Sequence, residues 1–237
     1  MRPAGAVLLH GYGVRSYIWT PFREAAGSTL GTIALADIDA ESLSDLITRA
    51  KARVRRHSLE CDAPVLVVGH SLGGVLAAIS ARDLGPEVVS AVVMLAPPYG
   101  ERRRVPGKLL QFLLRHRLIP PFLLRPRFFT AHTPRGVQRA VFKAAVPEAP
   151  AIQALTFEPR WFHTELLTEK LAQPSLVIAS EADRVVPHEQ SKVLAEVIGA
   201  RFHLFPEAMN VGHDDLFASP RIVSEVMTAL VKFLDAV

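Results

Sequence analysis

Short apolar runs alternate along the chain with longer stretches whose apolar positions recur every three or four residues. Residues 6–9, 32–36, 65–68, 88–95, 175–179 and 201–205 read as strands, several of them apolar throughout, as in a sheet buried on both faces. Helices are expected at 18–26, with Pro21 near the start, and at 41–56, where Leu43, Leu46, Ile47 and Val54 share one side. The run 72–81 is small and apolar. Helix 188–198 is stopped by Gly199, and the last helix, ending near residue 234, is opened by Ser219-Pro220. Between residues 96 and 171 the strand signal lapses. An amphipathic helix is expected over 108–118 and broken at Pro120-Pro121. Residues 122–129 are apolar and basic with Pro126 inside, 136–145 form a short helix, and 152–171 a helical stretch interrupted at Pro159. Strands alternating with helices predict an α/β fold, a mostly parallel sheet flanked by helices, whose ligands sit at the carboxyl ends of the strands.

One junction carries more than packing. Residues 65–68 run into Gly69-His70-Ser71-Leu72-Gly73-Gly74 and directly into the apolar helix. A strand that becomes a helix this quickly puts its central residue in a strained backbone and presses the flanking positions against neighbouring main chain, where glycine fits. The result is a serine hydroxyl at the end of a sheet, over a helix N-terminus that favours negative charge. Set against this is a glycine-rich turn with a solvated serine.

Composition supports a globular domain: 237 residues, 49% hydrophobic and 21% charged. The lone Cys61 excludes an internal disulfide, fits a reducing compartment and reads as structural. The apolar run at 4–9 is too short for a signal segment or a membrane span, so a soluble, cytoplasmic protein is expected. The net charge of +4 is uneven. Between Gly100 and Pro147 stand Arg102, Arg103, Arg104, Lys108, Arg115, Arg117, Arg125, Arg127, Arg135, Arg139 and Lys143 against Glu101 alone, a local +10 that leaves −6 for the rest.

A serine becomes a nucleophile when a base takes its proton and a third group orients that base. Of the nine histidines, His213 lies in the loop between the last strand and the last helix, as this chemistry requires. His188 opens a helix, His203 lies in a strand, His57 and His116 fall on basic helical faces, and His132 and His163 lie in the middle segment. Asp183 follows the strand at 175–179 and is the candidate acid, with Glu181 as the fallback and a pairing with Arg184 as the structural alternative. Asp214 and Asp215 stand too close to His213 in sequence to curl back onto its ring, and are expected to be solvated or turn-forming.

Four motifs together, His10-Gly11-Tyr12-Gly13, Gly69-His70-Ser71-Leu72-Gly73-Gly74, Asp183 in Glu-Ala-Asp-Arg-Val-Val-Pro and His213 in Gly-His-Asp, resemble the α/β-hydrolase superfamily in its serine esterase/lipase-like branch with a helical cap. The resemblance spans nearly the whole chain. It implies Ser71 as nucleophile, His213 as general base, Asp183 as its orienting acid, and an oxyanion hole from the backbone N–H groups of Tyr12 and Leu72. It implies no cofactor and no metal. With only nine residues before His10, the sheet is expected to begin at the family's third strand. Serine at position 71 disfavours the epoxide hydrolases and haloalkane dehalogenases of the superfamily, which use aspartate there.

On this reading residues 1–98 and 172–237 form the hydrolase core and 99–171 a cap or lid. The expected activity is cleavage of a carboxylic ester of an apolar acyl substrate through an acyl-enzyme. Alternatives are a thioesterase, lactonase or C–C bond hydrolase with the same residues, or a ligand-binding, receptor-like protein that keeps the triad. The basic, Leu-rich middle segment fits an acyl-binding lid whose arginines meet an anionic head group or membrane surface, or ordinary helices with solvated basic faces. Nucleic acid is disfavoured, since no recognised motif accompanies the charge.

Overall fold

The computed structural model describes residues 2–102, 107–116 and 118–237. Arg103, Arg104 and Arg117 of the basic segment lie outside the described residues, as does residue 117 of the helix expected at 108–118.

Six strands, β1 (Gly5–Leu9), β2 (Thr32–Ala36), β3 (Val65–His70), β4 (Val89–Leu95), β5 (Ser175–Ser180) and β6 (Arg201–Phe205), form one sheet in the order β2-β1-β3-β4-β5-β6. Every ladder between neighbours is parallel. Side chains alternate between the faces with period two. Ala6, Leu8, Leu66 and Val68 join the core beneath α1 (Thr20–Ala26) and α10 (Pro220–Leu234), where Trp19, Phe22 and Phe217 are also buried. Val7, Leu9, Val65 and Val67 join the opposite core, beneath α2 (Leu43–Cys61), α3 (Leu72–Leu84) and α8 (His188–Ile198). The chain winds from β1 outward to β2, then returns past β1 to β3. Between the carboxyl ends of β1 and β3 it therefore leaves the crevice where open α/β sheets bind ligands.

Most expected elements stand within three residues of their predicted ends, and three differ more, for physical reasons. The helix expected at 41–56 runs on to Cys61, where Asp62 adopts a left-handed conformation (φ 48°) that ends it. Ser42 caps its start by accepting from Asp45 N–H. His57, expected on a basic face, is buried and contacts Thr32. Residues 122–129, read only as apolar and basic with Pro126 inside, fall on helix α5 (Pro121–Phe128), in which Pro126 supplies no backbone N–H. The helical stretch expected at 152–171 shrinks to α7 (Pro150–Leu155) and a 3₁₀ turn, Phe162–Thr164. Its middle pairs with the start of the insertion instead: Arg102 N–H donates to Pro159 O (2.8 Å) and Trp161 N–H to Gly100 O (3.0 Å), an antiparallel bridge that uses the groups a helix would need. Two further helices, α4 (Lys108–Arg115) and α6 (Arg135–Ala144), also lie between β4 and β5.

Candidate active site

The turn after β3 holds the strained residue that its sequence predicts. Ser71 has φ 53° and ψ −120°, a region L-residues seldom adopt. The glycines explain how the chain fits. A Cβ on Gly69 would stand 2.1 Å from Gly73 O, and one on Gly73 would stand 2.2 Å from Leu9 O. Ser71 N–H donates to Leu95 O (2.8 Å), so the neighbouring strand fixes the turn. Leu72 is the first residue of α3, where an N–H has no acceptor within its own helix and points out of the N-terminus.

The loop after β1 lies directly against this turn. A Cβ on Gly11 would be 3.2 Å from both Ser71 Cβ and His70 O, a tight contact that glycine avoids where this loop meets the serine turn. His10 braces the loop from below. Ile38 N–H donates to its Nε2 (3.1 Å), which leaves the proton on Nδ1 to donate to Gly11 O (2.8 Å). Burial pushes this ring's pKa down, consistent with the neutral tautomer. From the insertion, Glu148 Oε1 accepts from Gly13 N–H (2.9 Å) and from Arg15 Nη1 (2.8 Å), while Val146 N–H donates to Gly13 O (2.8 Å). Both backbone groups of Gly13 are thus held by residues some 133–135 positions away, a constraint on the loop that no local pattern announces.

Asp183 and His213, the candidate acid and base, are brought together by the fold. His213 Nδ1–H donates to Asp183 Oδ2 at 2.7 Å, and both side chains are buried. The other oxygen, Asp183 Oδ1, accepts from Val185 N–H (2.7 Å) and Val186 N–H (2.9 Å), which fixes the carboxylate and leaves no pairing with Arg184. Burial alone would lower the pKa of His213, but the Asp183 charge and hydrogen bond outweigh it and hold the ring above its ordinary value. Glu181, the fallback acid, is turned away and accepts from Glu207 N–H (2.7 Å). The His213 ring packs on His70, the residue before Ser71, with centroids 4.6 Å apart. Ser71 Oγ makes no hydrogen bond to it among the described residues; such contacts commonly tighten when substrate binds.

Asp214 and Asp215, expected to be solvated or turn-forming, stand at a turn, where Asp215 N–H donates to Gly212 O, but neither is solvated. Asp215 is fully buried and accepts from Gly212 N–H (2.8 Å), from Thr130 Oγ1 (2.5 Å) and from Thr133 Oγ1 (2.6 Å). Asp214 N–H donates to Phe128 O (2.8 Å), and His132 Nε2–H donates to Met209 O (2.7 Å). Together these bonds rivet residues 128–133 of the insertion to the His213 loop. The Asp214 carboxyl is buried too, and desolvation raises its pKa to about 7, the His213 charge only partly opposing it. His70 is pushed well down by burial and by His213. Its Nε2–H donates to His213 O (3.1 Å), and Nδ1 has no hydrogen-bond partner among the described residues. His70, His213 and Asp214 are the described group whose ligand atoms come within 4.8 Å of one another. His213 Nδ1 is committed to Asp183 and His70 Nε2 to a carbonyl, which leaves a poor donor set for a metal.

A buried carboxyl with a raised pKa has a signature in stability. The folded state keeps the Asp214 proton between pH 4 and 7 while the unfolded chain gives it up, so stability falls as pH rises through that window and levels off above it. Asp214→Asn removes the falling component. Urea unfolding at pH 5 and pH 8 is expected to show the variant gaining on the native chain at the higher pH, by on the order of 2–4 kcal/mol. An equal change at both pH values would refute the assignment.

The fold and this corner of it define a class. The chain belongs to the alpha/beta hydrolase family, whose model matches residues 6–226. It is similar in fold to a lipase-esterase related protein from Clostridium acetobutylicum ATCC 824 (15% identity, TM-score 0.73, covering 96% of this chain and 95% of that one). It is likewise similar to the esterase RhEst1 from Rhodococcus sp. ECU1013 (20% identity, TM-score 0.72, 97% and 92%), and to a monoacylglycerol lipase from Paleococcus ferrophilus (19% identity, TM-score 0.69, 97% and 93%). No curated protein matches the chain closely enough to count as a relative. No helix among the described residues is long and apolar enough to cross a membrane.

Proposed function

We propose that the protein is a serine hydrolase that cleaves carboxylic esters of apolar acyl groups through an acyl-enzyme on Ser71. The observation that carries this reading is the buried Asp183–His213 hydrogen bond, at 2.7 Å, whose imidazole packs on His70, the residue before a serine held at positive φ. Asp183 holds the His213 proton on Nδ1, so Nε2 is the basic nitrogen. As Ser71 Oγ attacks the ester carbonyl, His213 Nε2 takes the hydroxyl proton. The carbonyl oxygen becomes an oxyanion, held by the N–H groups of Leu72 and Tyr12. Collapse of this tetrahedral species breaks the C–O bond to the alcohol, which leaves with the proton from His213. Water, deprotonated by the same nitrogen, then releases the acid and restores Ser71.

In this reading residues 99–171 are a cap on a core of residues 1–98 and 172–237. Its aromatic side chains argue for an apolar acyl group. The Phe128 ring stands 6.3 Å from that of His213 and 5.8 Å from Phe142, and Phe129 lies 6.2 Å from Phe142. The neighbours named for esterases and lipases agree in fold with this reading.

A panel of p-nitrophenyl esters of increasing chain length, run beside matched thioesters and lactones, tests the proposal. Turnover of esters, with kcat/KM rising from acetyl to medium acyl chains, is expected. Binding of acyl ligands without turnover of any ester would point instead to a receptor-like protein; turnover confined to thioesters or lactones would move the substrate class but keep the residues.

A further inference from the structure

Helices α4 and α5 hold large apolar side chains out in solvent. Leu109 is 74% exposed, Phe112 52%, Phe122 60% and Leu123 57%. Single exposed residues of this kind are ordinary, but two on each of two consecutive helices are apolar groups that water penalises. Leu109 and Phe112 are three residues apart and therefore share one face of α4. No strand or helix packs broadly on α4 among the described residues.

The ground around them is cationic. Lys108, Arg127, Arg135, Arg139 and Lys143 are all exposed, and none makes an ion pair among the described residues. No Asp or Glu occurs between residues 102 and 147. Exposed apolar groups on helices that also carry cations, Lys108 on α4 and Arg127 on α5, with further cations on the neighbouring α6, suit an acidic bilayer, the apolar groups entering the acyl boundary and the cations meeting phosphate oxygens.

We infer that α4 and α5 form a docking surface for anionic lipid, with Leu109, Phe112, Phe122 and Leu123 as its anchors. A second copy of the chain fits this face poorly, because it would bring two segments of charge +10 together. Nor is the face a loose flap awaiting closure. The end of α5 is pinned where Phe128 O accepts Asp214 N–H, and Thr130 and Thr133 bind Asp215. That pin also sets the geometry: from Phe122 to Phe128 the helix rises about 9 Å, so a lipid surface on the anchors lies a short step from the His213 loop. Delivery of substrate from that surface rests on the proposed role of Ser71 and His213; the docking itself does not.

Co-sedimentation with vesicles tests docking without reference to activity. The probes are vesicles of phosphatidylcholine alone and vesicles with about one-third phosphatidylglycerol. Binding to the acidic vesicles is expected at low salt, with release as salt rises from about 0.05 to 0.5 M. Leu109→Ser/Phe112→Ser leaves the charge intact and is expected to weaken binding on the order of 100-fold. Leu59→Ser, which removes a leucine 76% exposed on α2, is the control and is expected to bind as the native chain does. Thermal melts verify folding, and Phe122→Ser/Leu123→Ser repeats the test on the second helix. Failure to bind acidic vesicles at low salt overturns the inference. So does equal binding to both vesicle types, or undiminished binding by both double variants. Concentration-dependent self-association that the double variants abolish, without vesicle binding, would assign the face to a second copy and overturn it as well.

Discussion

Ser71→Ala is expected to lower kcat toward esters by about 10⁴–10⁶-fold, leaving a small residue of catalysis from the oxyanion donors and binding alone. The size follows from the chemistry, and the clean separation from stability follows from the structure. Ser71 Oγ makes no hydrogen bond among the described residues, so its loss strands no partner. Alanine keeps the Cβ that lies against Gly11 and bears the same left-handed backbone, φ 53°. The melting temperature is therefore expected to stay within a few degrees of the native value, and KM to change little. Steady-state assays on a p-nitrophenyl ester beside a thermal melt check both halves. A variant that keeps a tenth of the native kcat would remove Ser71 from the chemistry.

The second large effect is expected at Asp183→Asn, a change that preserves shape and inverts a hydrogen bond. Val185 and Val186 both donate N–H to Asp183 Oδ1, so an asparagine must place its carbonyl oxygen there. Its amide NH₂ then occupies the Oδ2 position, 2.7 Å from His213 Nδ1. Two donors cannot face each other, so Nδ1 must give up its proton and the ring must carry it on Nε2, the nitrogen that should accept from Ser71. A loss of about 10⁴ in kcat is expected, with little loss of folding. The ring also loses the charge that raises its pKa, so the acidic limb of the residual pH–rate profile should move to lower pH. Recording kcat across pH 5–9 for both proteins checks the size and the shift together. A loss under tenfold would mean that Asp183 holds the loop without directing the proton.

Much of the scaffold was legible because its signals are local. Gly199 ends α8, Ser219-Pro220 opens α10 and accepts from Ile222 N–H, and both helices fall where these residues put them. The strand–Ser71–helix turn was legible for the same reason, since Gly69 and Gly73 announce close main-chain contacts within a few residues. What was missed depends on partners distant in sequence. Read locally, Asp215 is one more acid beside His213; in the fold it is the buried acceptor for Thr130 and Thr133, 85 and 82 positions earlier. Glu148 shows no motif at all, yet it holds Gly13 and Arg15. Residues 122–129 carry no single local signal, being apolar and basic with Pro126 inside, yet they fold as α5, while the break expected at Pro159 is real and goes further than expected, because the backbone there pairs with residues 100–102.

The central claim is that Ser71 is a nucleophile activated by His213, and covalent labelling tests it most directly. Incubation with a fluorophosphonate probe, followed by intact mass and peptide mapping, is predicted to give one adduct per chain on the peptide bearing Gly69-His70-Ser71-Leu72-Gly73. Labelling should be lost in Ser71→Ala and slowed by orders of magnitude in Asp183→Asn. A folded native chain that takes up no probe, or an adduct that persists on another residue in Ser71→Ala, would contradict the account.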